Sequence, residues 1–419
     1  MSKSPQEKAS FLGSYLRQLR SKAGLSLRQV EALSRPFPDP VAFDFLSRAE
    51  SGRVIPSPKK LVTLARIYEV PAQTFLDALE LAQFDAYTPS TRDPEECRRL
   101  GIESLKKGDF ARAFACFQRG VELLRSASAG SDAERADSIA RMRNDYALSL
   151  MKLGKHRLAQ NHLEQALSDP RISDFAASLA LCNLSSVAYQ MDQLRIAEGH
   201  ALAAVRLARR ARNDEQIARS LITLANVRFD LKEPRLAAGM YRRALKLLES
   251  VPASIDAATA TINLGNCYHE LGQHERAHES YRLAATMAEQ SGNTFHTSSA
   301  LMSLGRSLYR MGRMDDARSP LIESRLIALR HDYRSQSFHS TYYLWRIAIE
   351  GRVGSEALEL FRALKHLRLR VDQRSEEILL FDAYLREVSA RKPRKTKAPA
   401  RREEEFPPRP DSRGAANTE

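Results

Sequence analysis

Cysteine, proline and glycine are all scarce in this 419-residue chain, and each shortage removes a class of protein. The four cysteines, Cys97, Cys116, Cys182 and Cys267, stand far apart with no close pair. That spacing supplies neither a disulfide framework nor a zinc site, and each is expected as a small buried residue on a helix. Gly 18 and Pro 18 together fall short of the roughly 12% an average chain carries, so turns are few and the composition leans helical. Only Pro170, Pro234, Pro252 and Pro320 lie between Glu95 and Ala390, and the other fourteen crowd the two ends. No apolar run approaches the roughly 18 residues of a membrane span. The polar start MSKSPQEKAS leads into no signal core. A cytoplasmic protein without a membrane partner is expected.

What is present supports a folded chain. Hydrophobic residues make up 43%, enough for a real core, and the length suggests several domains. Lys plus Arg number 65 against 51 Asp plus Glu, a net charge of +14. A surplus of this sign suits a nucleic-acid partner. It is spread thinly, however, with +4 in residues 1–82, +4 in 391–419 and +6 in between.

From residue 95 onward one pattern recurs. LGNCYHELGQHERAHESYRLA (264–284) and LGRSLYRMGRMDDARSPLIESRL (304–326) share a frame: Gly265, Gly272, Ala277 and Gly305, Gly312, Ala317. The same frame fits Ala225, Lys232, Ala237; Ser185, Asp192, Ala197; and Ala147, Gly154, Ala159. Ala197, Ala237, Ala277, Ala317 and Ala357 are each 40 apart, and earlier copies at Ala113 and Ala159 bring the anchors to seven. A period of this size denotes stacked supersecondary units. Apolar residues at three- and four-residue spacing place one face of each helix inward. Each unit is therefore a helix–turn–helix hairpin that buries its face only against its neighbours. The pattern resembles a tetratricopeptide repeat array lengthened to 40 residues. The last unit carries Trp345 where a small residue is usual, as end units often depart from the pattern.

Residues 10–82 read differently. FLGSYLRQLRSKAG is an amphipathic helix stopped by Gly24. Ser26 with Gln29 forms a capping box for a second helix. Gly52 ends a third, Ser57 and Pro58 open a fourth, and Pro71 a fifth. LRQLRSKAGLSLRQV, FLSRAESGRVIPS and LVTLARIYEV resemble the Cro/repressor-like (XRE) helix-turn-helix family of bacterial DNA-binding domains. The resemblance implies that Ser26–Ser34 is the first helix of the motif and Val41–Ser51 the recognition helix in the major groove. RPFPDP (35–40) lengthens the intervening turn by about five residues relative to that family's usual short turn. Phe43, Asp44, Ser47 and Arg48 would face bases, with Arg48 suited to guanine and Phe43 to a thymine methyl. Arg28, Gln29, Arg53, Lys59 and Lys60 would hold phosphates and set register.

The expected whole is all-α. It comprises a five-helix head (1–82), a linker (83–94), tetratricopeptide-like repeats (95–363), a capping helix (364–390) and a disordered basic tail (391–419). The first helix of each hairpin would line the concave side. The frame places Asn226 and Asn266 at one inward site, with Asn144 and Asn183 nearby. Such a ladder of donors and acceptors suits a peptide backbone. Arg306, Arg310 and Arg346 with Tyr309 and Tyr342 would add a basic, aromatic stretch for an acidic segment. The combination resembles bacterial regulators that join a Cro-like head to a peptide-sensing tetratricopeptide array, which implies DNA and a peptide or protein as partners and a possible homodimer. A scaffold whose head contacts protein instead of DNA is the alternative. No enzyme motif or cofactor site is present: HELGQH (269–274) separates its histidines by five, not the four that place both on one helix face.

Overall fold

The structure, a computed structural model, describes residues 5–126, 131–250, 255–371 and 375–390, so the expected tail lies outside the described residues. Among these residues it is all helix, with no strand. The chain divides into two compact units, 1–227 and 228–419. The head consists of α1 (Pro5–Lys22), α2 (Leu27–Ser34), α3 (Phe43–Glu50), α4 (Pro58–Ile67) and α5 (Gln73–Leu81). A 3-10 helix (Ala82–Tyr87) leads into α6 (Pro94–Lys106), α7 (Phe110–Ser126), α8 (Asp132–Lys152), α9 (His156–Leu167), α10 (Asp174–Gln190) and α11 (Leu194–Arg210). The boundary between units falls within α12 (Asp214–Asp230). The second unit continues with α13 (Pro234–Leu248), α14 (Ile255–Glu270), α15 (His274–Gln290), α16 (Thr294–Arg310) and α17 (Met314–Arg330). It ends with α18 (Arg334–Glu350), α19 (Gly354–Arg368) and α20 (Glu376–Ala390).

Local chemistry accounts for the head's boundaries. Ser26 and Gln29 close the expected capping box on α2, and Ser57 caps α4 with Pro58 in its first turn. α3 is shorter than expected. Val41 is fully buried and bonded through its backbone N–H to Ser34 Oγ at 2.8 Å, so it belongs to the turn, and the helix starts only after Ala42. α1 lies close against the end of α3 because Gly13 has no side chain: a Cβ there would stand 2.5 Å from the Ala49 carbonyl oxygen. Arg20 then spans the same junction. Its guanidinium donates to both carboxylate oxygens of buried Glu50, at 2.6 and 2.8 Å, and to the Leu25 carbonyl at 3.0 Å.

Each repeat anchor is fully buried in the second helix of its pair: Ala113, Ala159, Ala197, Ala237, Ala277, Ala317 and Ala357. The small residue of the frame sits on the first helix, and what lies opposite is matched to its size. A Cβ on Gly265 would stand 2.6 Å from the Tyr281 ring, and one on Gly305 would stand 2.4 Å from Leu321. Gly101 makes the same place for Phe117, so Gly101, Gly108 and Ala113 extend the frame to the first pair. Ser185 is large enough to donate its hydroxyl to the Ala197 carbonyl at 2.8 Å. Seven residues after the small one, the turn is left-handed whether or not the residue is glycine, with φ +71° at Gly272 but also +60° at Asp192 and +66° at Lys232. In the last pair Trp345 replaces the small residue. Its ring is buried among Phe361, Phe381 and Tyr384 at centroid separations of 5.0–6.1 Å, which ties α18 to α19 and to the cap α20.

The head is not tethered loosely to the first repeats. Within the expected linker the 3-10 helix packs on α1 and α7, and the head's core is continuous with that of the first hairpins. Phe114 on α7 meets Phe11, Phe84 and Tyr146 at 5.8, 5.9 and 4.9 Å. Polar contacts flank this ring cluster. Lys155 bridges Asp77 at 3.0 Å and Glu80 at 2.6 Å, Gln18 accepts from Asn161 and Gln165, and Lys22 pairs with Glu164.

Two substitutions test this architecture. Glu50→Ala strands Arg20 at the α1–α3 junction and is expected to cost about 3 kcal/mol, read as a lower denaturant midpoint for the head. Gly265→Ala forces a methyl into the Tyr281 ring and should cost about 1–3 kcal/mol. Gly199→Ala, inside α11 with nothing within 4 Å, serves as the clash-free control and should gain about 0.5–1 kcal/mol in the same thermal melt.

Candidate functional site

The head offers one exposed polar face. Phe43, Asp44, Ser47 and Arg48 are all exposed on α3, at spacings that place them side by side on the helix. Leu46, Ala49 and Glu50 turn inward on the opposite side. Arg28, Gln29, Arg53 and Lys59 are exposed around this face. The array touches the head through α1, α5 and the 3-10 helix, so the outward side of α3 stays open to solvent. Gln29 spends its side-chain oxygen on the Ser26 N–H at 2.7 Å.

Lys60 is placed differently from the expectation. It is half-buried, donates to the Pro40 carbonyl at 2.9 Å and stands 4.6 Å over the Phe45 ring. Thr63 donates to the Asp39 carbonyl at 3.0 Å, and Arg66 lies over Phe37. Three side chains of α4 thus brace the long turn, and Lys60 commits one of its three donors there. Glu31, not among the expected site residues, accepts from the Phe43 backbone N–H at 3.2 Å. With Asp44 in the first turn, two carboxylates stand at the positive end of α3. No residue type marks such a long-range cap in advance, since Glu31 sits on the preceding helix.

The inner face of the array is built from first helices lying side by side: α8 with α10 in the first unit, and α14, α16 and α18 in the second. The expected asparagines fall on it, half-buried, and they are engaged. Asn183 donates to Asn144 at 2.9 Å across one repeat. Asn266 accepts from the Tyr281 hydroxyl and from Arg306, both at 2.8 Å. Asn226 is half-buried in the first unit. These bonds lock neighbouring repeats together and use part of the capacity assigned to a peptide.

Acidic partners outside the expected set neutralise much of the basic stretch. Tyr309 donates to Glu350, Arg346 reaches Glu350 at 3.5 Å, and Arg310 bonds His269 at 2.7 Å and Glu376 at 3.0 Å. Burial, with Arg310 and Arg306 close by, pushes the His269 imidazole down to about 4, so it is neutral and able to accept. Glu350 was legible, four residues after Arg346 on one helix; Glu376 lies on the cap, 66 positions from its partner. Tyr342 leaves the groove set altogether. It is 3% exposed and packed between Phe338 and Trp345, because α18 is enclosed by its own hairpin and by α20.

Comparison with known proteins separates the chain into the same parts. Residues 12–78 match the family model described as a helix-turn-helix domain, and residues 256–328 match a tetratricopeptide repeat. The head is thus a helix-turn-helix domain and the array a tetratricopeptide solenoid. No curated protein matches the sequence. Among solved structures, the apo form of RapI aligns at 12% identity over 70% of this chain and 81% of its own, TM-score 0.54. A Rap protein complexed with competence and sporulation factor aligns at 14% identity over 66% and 77%, TM-score 0.51. PlcR of Bacillus thuringiensis, in complex with the peptide PapR7 and DNA, aligns at 14% identity over 70% and 99%, TM-score 0.41. These likenesses concern the fold.

Asn266→Ala measures how far the inner ladder is structural. It leaves the Tyr281 hydroxyl and one Arg306 donor unpaired and should cost about 1–3 kcal/mol in a thermal or urea melt. An unchanged melt would return Asn266 to the ligand-facing set.

Proposed function

We propose that this chain is a DNA-binding regulator: α3 reads duplex DNA in the major groove, and the repeat array holds a peptide or protein segment along its inner helices. The observation that carries the first part is the exposed face of α3. Arg48 projects freely there, flanked by Arg28, Arg53 and Lys59, within a domain that matches a helix-turn-helix model. A guanidinium fork in that position reads guanine, and the flanking cations hold phosphates. The array has the same kind of fold as a Rap protein crystallised with competence and sporulation factor, which supports a peptide or protein as its occupant. On this reading the protein acts in the cytoplasm by binding and not by catalysis. Two heads are brought to paired half-sites by a dimer. Among the described residues no helix is long and apolar enough to cross a membrane.

A second reading rests on Phe43, which is 37% exposed at the front of α3 beside Asp44 and Glu31. An apolar tip between carboxylates suits a protein surface better than phosphates. One experiment separates the two. Selection of bound fragments from random duplexes with the full chain should yield an ordered site, bound with an affinity that falls steeply with salt. Arg48→Ala should weaken that site by about ten- to a hundredfold and relax one base position, with non-specific binding unchanged. Equal affinity for all duplexes, or none, would favour the scaffold.

A further inference from the structure

A cavity of about 180 Å³ lies in the first unit, where α1 of the head meets α7, α8 and α9. Its walls are of two kinds. Phe11, Tyr15 and Val121 supply apolar surface. The rest is polar, and part of it is unsatisfied: Gln18 and Gln165 bond each other, but Arg143 Nε, the Tyr146 hydroxyl, His162 Nδ1 and Gln118 Oε1 are buried with no hydrogen-bond partner among the described residues. Arg143 is 7% exposed and Tyr146 2%. Buried polar groups are almost always bonded, so four orphans around one space call for an occupant.

The charge is as telling as the orphans. Among the described residues Arg143 forms no ion pair: the acid that acts on it, Asp169, is already held by a two-bond fork from Arg171 at 2.9 and 2.8 Å. Burial and neighbouring Arg125 bring the Arg143 guanidinium down to about 10, so it remains a cation at neutral pH. The same burial, with Arg143 and Arg125, pushes His162 down to about 3 and keeps it neutral. Arg143 and Tyr146 therefore present two donors to the cavity. Water can meet the polar wall but leaves Phe11, Tyr15 and Val121 wetted, whereas an occupant with a polar head and an apolar body covers both.

We propose that this junction is a binding site for a small organic monocarboxylate with an apolar body. The carboxylate accepts from Arg143 and Tyr146, and the body lies against Phe11, Tyr15 and Val121. Size fits this class: a protein cavity of about 150 Å³ accommodates benzene. Exposed Glu122 at the rim, whose nearest cation is Arg119 at 3.5 Å, disfavours a second negative charge on the ligand. Because α1 belongs to the head and the remaining walls to the repeats, an occupant adds contacts between them. The site stands independently of whether the head reads DNA.

The test uses the full chain and thermal melts at constant ionic strength, with benzoate, phenylacetate and isovalerate as probes and benzyl alcohol and inorganic phosphate as controls. At least one carboxylate should raise the melting temperature in a saturable way, with benzyl alcohol and phosphate having little effect. Arg143→Met should weaken that carboxylate at least tenfold without lowering the melting temperature of the ligand-free protein, since it removes an unpaired buried charge. A merely structural Arg143 would show the reverse. Tyr146→Phe, which keeps the ring against Phe114, should weaken binding several-fold and supplies the reading if Arg143→Met does not fold. The proposal is overturned if no carboxylate shifts the melt, if phosphate shifts it equally, or if the shift survives in both variants.

Discussion

The repeat architecture depends on one steric constraint, the space left for a side chain where the two helices of a hairpin come closest. On the second helix that space holds only a methyl, and the seven anchor alanines are all fully buried. On the first helix it is shared out pairwise, with glycine opposite Phe117, Tyr281 or Leu321 and a serine, Ser185, bonded to the Ala197 carbonyl. Dense packing leaves no slack at such a contact, so the helix separation is set there. The turn follows from it. A hairpin closed this tightly needs a left-handed residue, and Asp192 and Lys232 adopt that conformation despite its cost. Trp345 is the exception that fits, because the last hairpin has a capping helix in place of a further repeat.

The head is governed by a second kind of junction. Gly13 and the Arg20–Glu50 fork bring α1 against the end of α3, so the helix that presents Arg48 is held from behind. The other side of α1 lies against the repeats through the rings around Phe114. One helix therefore joins the outward face of α3 to the first hairpins, and it also walls the cavity that Arg143 enters. Any ligand that changes how α1 sits has a physical route to the head. The route consists of side chains in contact, with no need for a long-range field.

Much of this was legible from residue types. The seven hairpins follow from alanines in register, the caps of α2 and α4 from Ser26, Gln29, Ser57 and Pro58, and α3 from the words around Phe45. These are local signals, read over a turn or two of helix. Lys60, Tyr342 and Val41 were misplaced for one common reason. Lys60 and Tyr342 have the right type for an exposed role and Val41 was read only from its place before the helix, but each one's partner (Pro40, the rings of α18 and α20, or Ser34) is reached only after several elements have packed.

The sequence by itself determined the helices, their pairing and the order of head and array, because helix periodicity and close-packing residues are written within about one repeat of chain. Only the tertiary structure decided which polar side chains remain available. Asn144 and Asn266 commit their acceptor oxygens to neighbouring repeats, whereas Arg48 stays open and Arg143 Nε is buried with no partner among the described residues. The physical reason is that a hydrogen bond needs its partner within about 3 Å and well aligned. Groups far apart along the chain meet that condition, or fail it, only through the packed geometry of whole elements.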